Sequence, residues 1–141
     1  MVGIAVVGAG YWGPNLIRNF FALGHLRVIA DYDEQKLEKL RAQYPDVTCY
    51  TRIEDVLDCP FIHGVALATP ASSHYSLARK VIERGKSVFV EKPLAQTTVE
   101  CRDLISLSRK HDCVLMVGHT FEYNSAVHYV EECIDKQELG E

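Results

Sequence analysis

Short apolar segments alternate with amphipathic helical segments along the whole chain, and this alternation restricts the fold more than any other sequence feature. Parallel strands need long crossover connections, usually helices, and strands covered on both faces are apolar throughout. Six such strands are predicted, at residues 3–7, 26–30, 48–50, 64–68, 87–90 and 114–117. The predicted fold is therefore α/β, with a doubly wound, mostly parallel sheet and helices on both of its faces.

Five helices are predicted between and after these strands from apolar spacing, capping residues and stop signals. They are the apolar stripe at 16–23, the segments 33–44 and 73–84, the helix that opens with the capping-box pattern Thr97-Thr98-Val99-Glu100, and the stripe of Val127, Val130 and Ile134. A chain of 141 residues can bury a single core without disulfides or a structural metal. We expect one domain over residues 1–141.

Charge and cysteine usage exclude several classes of protein. Fifteen Lys and Arg against 19 Asp and Glu give a net charge of −4, which argues against general binding to nucleic acid or to anionic membranes. The five cysteines lack a C-x-x-C pair and any metal-ligand spacing, so we expect reduced thiols in a cytoplasmic protein and no metal site. No secretory signal is expected, and no apolar run approaches the roughly 20 residues of a membrane span.

The segment Gly8-Ala9-Gly10-Tyr11-Trp12-Gly13 has G-x-G-x-x-G spacing directly after the first predicted strand and directly before a helix. In that context a tight turn, a bare backbone beside a pyrophosphate and close helix–strand contact each favour glycine. The helix N-terminus adds free N–H groups and partial positive charge. The segment therefore predicts a dinucleotide-binding turn.

Asp31 ends the second predicted strand at about the distance from the glycines, some 20 residues, that is typical of a ribose-binding acid. Its carboxylate can accept hydrogen bonds from both ribose hydroxyls, whereas a 2′-phosphate would meet a like charge. No Arg or Lys stands at positions 32–34 to neutralise it, so we expect NAD rather than NADP. Glycines are common in turns, and Asp31 or Asp33 could instead cap the next helix. We assign the cap to Asp33 and the ribose to Asp31.

Three polar clusters follow the fourth, fifth and sixth predicted strands. They are Ala68-Thr69-Pro70-Ala71-Ser72-Ser73-His74, Glu91-Lys92-Pro93, and Gly118-His119-Thr120-Phe121-Glu122-Tyr123-Asn124. Ligands of open α/β sheets bind at the carboxyl ends of the strands. We therefore expect the three clusters to line one crevice.

Together with the glycine turn and Asp31, these clusters make essentially the whole chain resemble the N-terminal, NAD-binding Rossmann domain of the Gfo/Idh/MocA oxidoreductases. The stretches at 11–16, 68–75, 91–94 and 118–121 are most similar to the members that oxidise the 3-hydroxyl of UDP-N-acetylglucosamine or of its uronate. The resemblance implies an NAD-dependent dehydrogenase of a sugar or nucleotide sugar.

The resemblance also implies roles for individual residues. It places Ala68, Thr69, Pro70 and His74 along the nicotinamide half of the cofactor, and Glu91 on the ribose of that half. The peptide bond before Pro93 is often cis in members of the family. The complete set of implied cofactor contacts is Gly8, Gly10, Tyr11, Trp12, Gly13, Asp31, Ala68, Thr69, Pro70, His74, Glu91 and Lys92.

Lys92 is the predicted catalytic residue, and His119 and Asn124 are placed on the substrate side by the resemblance. An ammonium group beside a sugar hydroxyl can stabilise a developing alkoxide or relay its proton. The alternative for Lys92 is a solvated surface lysine, since charged residues are mostly exposed. Tyr11 and Trp12 either shield the cofactor or form a hydrophobic helix entry.

Members of the family carry a second domain, on a mostly antiparallel sheet, that supplies substrate contacts and acid–base residues, and full-length members are expected to be homo-oligomers. This chain is expected to be the cofactor half, with little turnover by itself, because a crevice open to water orients a substrate poorly. The alternative is a stand-alone NAD(H)-binding module without catalysis. A methyltransferase shares the glycine turn but gives no reason for Glu91-Lys92-Pro93.

Overall fold

A computed structural model describes residues 2–140, in which six strands form one sheet and every neighbouring pair of strands is parallel. The strands are β1 (Ile4–Val7), β2 (Leu26–Ala30), β3 (Thr48–Tyr50), β4 (Gly64–Leu67), β5 (Ser87–Val90) and β6 (Leu115–Val117). Their order across the sheet is β3-β2-β1-β4-β5-β6, the order of a doubly wound dinucleotide-binding fold. The predicted fold class is confirmed, and each predicted strand is present within one residue at either end.

The helices are α1 (Gly13–Ala22), α2 (Glu34–Gln43), α3 (Ile53–Leu57), α4 (Ala71–Glu83), α5 (Thr98–Lys110) and α6 (Ser125–Asp135), with a 3₁₀ turn at Thr120–Tyr123. All five predicted helices are present. The capping box of α5 is confirmed, with Thr97 and Glu100 each accepting a hydrogen bond from the other's backbone N–H. Two details differ: α4 begins two residues before its predicted start, and α3 was not predicted, because five residues are too few for a periodic pattern.

Two apolar clusters pack on opposite faces of the sheet and fix its helices. On one face Ile17 of α1 and Leu37 of α2 are almost completely buried against Val6 and Ile29. On the other face α3, α4 and α5 bury apolar side chains such as Ile82 and Leu104. Burying each large aliphatic side chain contributes about 1.5–3 kcal/mol, so both layers are held firmly to the sheet.

The carboxyl ends of the parallel strands meet at one edge of the sheet, and backbone hydrogen bonds continue past those ends. They are Gly8 N–H to Ala30 O at 2.7 Å, Ala68 N–H to Val7 O at 2.8 Å, Glu91 N–H to Leu67 O at 3.0 Å and Gly118 N–H to Val90 O at 2.8 Å. β2 and β4 lie on opposite sides of β1, so the order of the strands reverses direction at β1. A crevice opens at this edge of the sheet where the order reverses. The predicted site residues follow these strand ends.

Within residues 2–140 no helix has the length and apolar character needed to cross a membrane. The five cysteines carry free thiols. The same described residues contain no group of three or more His, Cys, Asp or Glu side chains arranged to hold a metal ion.

Candidate functional site

The three glycines of the first turn have three different structural roles. Gly8 has a φ of +95°, and a Cβ atom there would lie 2.6 Å from the carbonyl oxygen of Ala68. A Cβ atom on Gly13, the first residue of α1, would collide with the carbonyl oxygen of Gly8. Gly10 differs, since a Cβ atom there would meet no atom of the described residues within 4 Å apart from its own chain neighbours. Gly8 and Gly13 are thus required by the fold, whereas Gly10 leaves open space.

That open space belongs to two adjoining clefts of about 550 and 620 Å³, which share Gly10, Ala68, Thr69 and Pro70 as lining residues. We call them the Asp31 end and the Glu91 end. The Asp31 end is further lined by Asp31, Tyr32, Lys36, Thr51 and Ser72, among others. The Glu91 end is further lined by Tyr11, Trp12, His74, Glu91, Lys92, Gly118, Thr120 and Phe121.

Asp31 is buried, 6% exposed, and its two carboxylate oxygens accept hydrogen bonds from different backbone segments. Oδ2 accepts from the N–H of Ala9 at 2.7 Å, and Oδ1 accepts from the N–H of Asp33 at 2.9 Å. Asp31 therefore ties the glycine turn to the end of β2. Each carboxylate oxygen keeps a lone-pair site for a further donor.

Asp33 caps α2, as the sequence predicts. Its Oδ1 accepts a hydrogen bond from the N–H of Gln35 at 3.0 Å, which satisfies one of the free donors in the first turn of α2. Asp33 is thus the N-cap of α2, and Asp31 is the acid that lines the cleft.

Lys36 is a cleft residue that the sequence patterns do not single out. Its Nζ lies 3.7 Å from Oδ1 of Asp31 and 3.8 Å from Oδ2 of Asp33, and 5.6 Å from the centre of the Tyr32 ring. Positions 32–34 carry no cation, but the first turn of α2 brings the side chain of Lys36 back to the acid. The sequence signal that could have indicated Lys36 is its spacing of three residues from Asp33, because side chains at this spacing on a helix are neighbours.

Glu91 presents an unusual atom at the other end of the cleft. Its Oε1 is buried and has no hydrogen-bond partner within the described residues. A buried polar group without a partner costs about 1–3 kcal/mol, and more when it is charged. Such an atom in a cleft marks a place where a ligand donor would be stabilising.

Lys92 is exposed beside Glu91 and lines the same end of the cleft. The Lys92-Pro93 peptide bond is cis, in agreement with the resemblance. The neighbouring residue Tyr11 is 97% exposed and so does not form a buried helix entry, whereas Trp12 is 40% exposed. Both residues line the Glu91 end of the cleft.

His74 is 1% exposed, and both of its ring nitrogens lie against backbone carbonyls. Nδ1 lies 2.7 Å from the carbonyl oxygen of Pro93, and Nε2 lies 2.8 Å from that of Thr69. The imidazole therefore links the turn after β4 to the turn after β5. It lines the Glu91 end of the cleft with both ring nitrogens engaged, and its place along the nicotinamide half of the cofactor stays a prediction.

His119 and Asn124, the predicted substrate-side residues, line neither end of the cleft. His119 is exposed and directly precedes the 3₁₀ turn. Asn124 caps α6, with Oδ1 accepting from the N–H of Ala126 at 2.9 Å. Their role toward a substrate stays a prediction.

The residues at this edge fit a dinucleotide. The N-terminus of α1 has no side-chain cap and so leaves donors for phosphates, and Gly10 provides room for them. Asp31 at one end and Oε1 of Glu91 at the other are acceptors suited to ribose hydroxyls. When bound, a nicotinamide dinucleotide supplies the acceptor or donor of a hydride.

The family described as "Oxidoreductase family, NAD-binding Rossmann fold", Gfo/Idh/MocA, matches residues 2–119 of this chain. The chain belongs to this family. The Rossmann fold and NAD as the family's cofactor agree with the sequence predictions, and the match covers every strand of the sheet.

Individual relatives and solved structures are similar to almost the whole of this chain. The 2,7-anhydro-N-acetylneuraminate hydratase of Mediterraneibacter gnavus is 28% identical over 139 residues, which cover 99% of this chain and 37% of that protein. The crystal structure of GenD2 from gentamicin A biosynthesis, in complex with NAD, has a TM-score of 0.88 and 29% identity, covering 97% of this chain and 40% of that one.

The fold is also that of the WlbA dehydrogenase from Bordetella pertussis, solved with NADH and UDP-GlcNAcA, at a TM-score of 0.88 and 22% identity over 99% of this chain and 43% of that one. The chain thus spans about two fifths of the length of these proteins.

Proposed function

We propose that this chain is the NAD-binding domain of a dehydrogenase that transfers hydride between nicotinamide and a hydroxyl-bearing carbon of a sugar or nucleotide sugar. The specific substrate we propose is a UDP-N-acetylhexosamine, oxidised at its 3-hydroxyl. The observation that carries the proposal is the Glu91 end of the cleft, where Glu91 and Lys92 adjoin the glycine turn and the buried Oε1 of Glu91 has no partner among the described residues.

Each side chain at this end has a distinct task in the proposed reaction. Glu91 accepts a hydrogen bond from the ribose next to nicotinamide and so fixes the cofactor. Lys92 would stabilise the developing alkoxide of the sugar as an ammonium or, as a neutral amine, accept the proton of the hydroxyl. NAD, when bound, would supply the acceptor of the hydride from the same carbon. Tyr11 and Trp12 cover the cofactor and reduce its exposure to water.

The proposed substrate class is supported by the relatives' names. One is a hydratase of an anhydro-N-acetylneuraminate, and the WlbA dehydrogenase was solved with UDP-GlcNAcA. Both names describe acidic N-acetylated sugars.

We propose that groups outside residues 1–141 complete the substrate pocket, because residues at the open Glu91 end are largely exposed.

The first test is calorimetric titration of the chain with NADH, which we expect to bind. The second is an assay of NAD reduction with a panel of UDP-N-acetylhexosamines and their uronates. We expect no turnover by residues 1–141 and turnover by a protein extended to the length of its relatives.

Lys92→Ala is the matched variant for the extended protein, with Lys110→Ala, an exposed lysine at the end of α5, as its control. Lys92→Ala should abolish turnover and leave NADH affinity within about threefold, since the proposed task of Lys92 is toward the sugar hydroxyl. NADH binding without turnover on any sugar would favour the stand-alone binding module instead. Absence of NADH binding would refute both functions.

A further inference from the structure

The Asp31 end of the cleft contains a cation that the dinucleotide-binding pattern does not account for. The ammonium of Lys36 lies between two carboxylates, 3.7 Å from Asp31 and 3.8 Å from Asp33. Its side chain is 39% exposed and lines the cleft, so it can reach both the acid and a ligand. The three side chains together carry one net negative charge instead of two.

We propose that Lys36 is a specificity-determining residue that sets how strongly this domain discriminates NAD from NADP. The inference rests on the proposed function, because it concerns the same cleft and the same cofactor. Asp31 and Asp33 would repel a 2′-phosphate, whereas Lys36 attracts it and offsets part of that repulsion. The affinity for NADP is therefore reduced less than it would be by the two acids alone.

The neutral ribose of NAD depends on Lys36 much less. Its hydroxyls can donate to the lone-pair sites that Asp31 keeps beside its two backbone hydrogen bonds. The position of that carboxylate is fixed by the N–H groups of Ala9 and Asp33, and Lys36 is not needed to hold it. A change at Lys36 should therefore alter NADP affinity more than NAD affinity.

Two variants should move the ratio of affinities in opposite directions. Lys36→Met removes the cation and should lower NADP affinity about tenfold, while NAD affinity stays within about threefold. Asp33→Asn removes one repelling charge and keeps the helix cap, because Asn caps as well as Asp. It should raise NADP affinity about three- to tenfold with little change for NAD.

Controls separate the charge of Lys36 from its packing. Lys36→Arg keeps the positive charge and should preserve the wild-type ratio within about threefold. Lys39→Met removes an exposed cation of the same helix that does not line the cleft, and it should leave both affinities unchanged. Thermal unfolding of each variant checks that α2 is intact.

The measurement is displacement of fluorescent NADH by NAD and by NADP at fixed ionic strength. Opposite shifts of the ratio in Lys36→Met and Asp33→Asn, with Lys39→Met unchanged, support the inference. If wild-type protein binds NAD and Lys36→Met has the same ratio as Lys39→Met, the inference fails and the proposed function stands. NADP that is undetectable in wild type and in Asp33→Asn also overturns it. Wild-type protein that binds neither dinucleotide overturns both.

Discussion

The two ends of the cleft differ in how far the protein satisfies its own acids. At the Asp31 end the carboxylate accepts two backbone hydrogen bonds and faces a lysine ammonium. At the Glu91 end a buried carboxylate oxygen has no partner in the described part of the chain, and the adjacent Lys92 is exposed. The first end is thus built as part of the fold, and the second is left with a buried carboxylate oxygen that no described residue satisfies.

This difference explains how one edge of a sheet serves both stability and chemistry. An acid that holds the glycine turn cannot be removed without disturbing the turn. An acid without a partner is costly in the free protein and favourable only when a donor arrives. Function is therefore separable from stability at the Glu91 end and coupled to it at the Asp31 end.

The largest effect is expected between the two ends, at the shared Gly10. Gly10→Val should reduce NADH affinity at least about 100-fold while the domain stays folded, because the side chain enters open space that the pyrophosphate needs. Gly13→Val is the contrasting variant, since its side chain would collide with Gly8 and should unfold the domain. Titration and thermal unfolding monitored by circular dichroism distinguish them. An unchanged NADH affinity in Gly10→Val would show that the glycine turn has only a structural role.

Asp31→Asn tests the end that is coupled to the fold. An amide has a single acceptor oxygen, so one of the two backbone hydrogen bonds of Asp31 is lost. The free energy of unfolding should fall by about 1–3 kcal/mol, and NADH affinity should fall about tenfold. Asp46→Asn, on an exposed aspartate outside the cleft, is the control. Denaturant unfolding and titration of the same samples give both quantities.

Glu91→Gln makes the matching change at the other end and should have the opposite effect on stability. Replacing a carboxylate whose buried Oε1 has no partner among the described residues by an amide should raise the free energy of unfolding by about 1 kcal/mol. NADH affinity should nevertheless fall about tenfold, since a charged acceptor is lost. Glu38→Gln, on the exposed face of α2, controls for charge. If Glu91→Gln and Asp31→Asn destabilise the protein equally, the contrast between the two ends is wrong.

The smallest effect on binding is expected at Lys86, which precedes β5 at the sheet edge opposite the cleft. Its buried ammonium donates to the carbonyl oxygens of Cys59 and Ile62 at 2.9 and 2.8 Å. Burial lowers the pKa of Lys86 below its ordinary value of 10.5, so the unfolded chain binds the proton more tightly than the folded protein. The contribution of Lys86 to stability should therefore increase as pH rises through its folded pKa toward 10.5.

Lys86→Met should lower the free energy of unfolding by about 1–3 kcal/mol at neutral pH and leave NADH affinity within about twofold. The difference in stability from wild type should widen between neutral pH and 10.5, as measured by urea unfolding at several pH values. A difference that stays constant or narrows over this range would contradict a lowered pKa of Lys86 in the folded protein. A loss of NADH affinity would show that stability and binding are coupled at this edge of the sheet as well.

Most of the fold could be predicted because its signals are local. Apolar runs indicated the strands, Asp33 and the Thr97–Glu100 box indicated two helix starts, and G-x-G-x-x-G indicated the turn. The start of α4 was misplaced because Pro70 and Ala71 are typical of a loop although they open the helix. The helix α3 was missed because one and a half turns carry no period.

By itself, the sequence determined which residues gather at the strand ends, because parallel strands bring their carboxyl ends to one edge. Only the tertiary structure decided what each of those side chains contacts. It placed Lys36 against Asp31, turned both nitrogens of His74 to backbone carbonyls and left Oε1 of Glu91 without a partner among the described residues. These contacts join residues on different elements, and their distances depend on how helices and turns pack on the sheet, which no local pattern encodes.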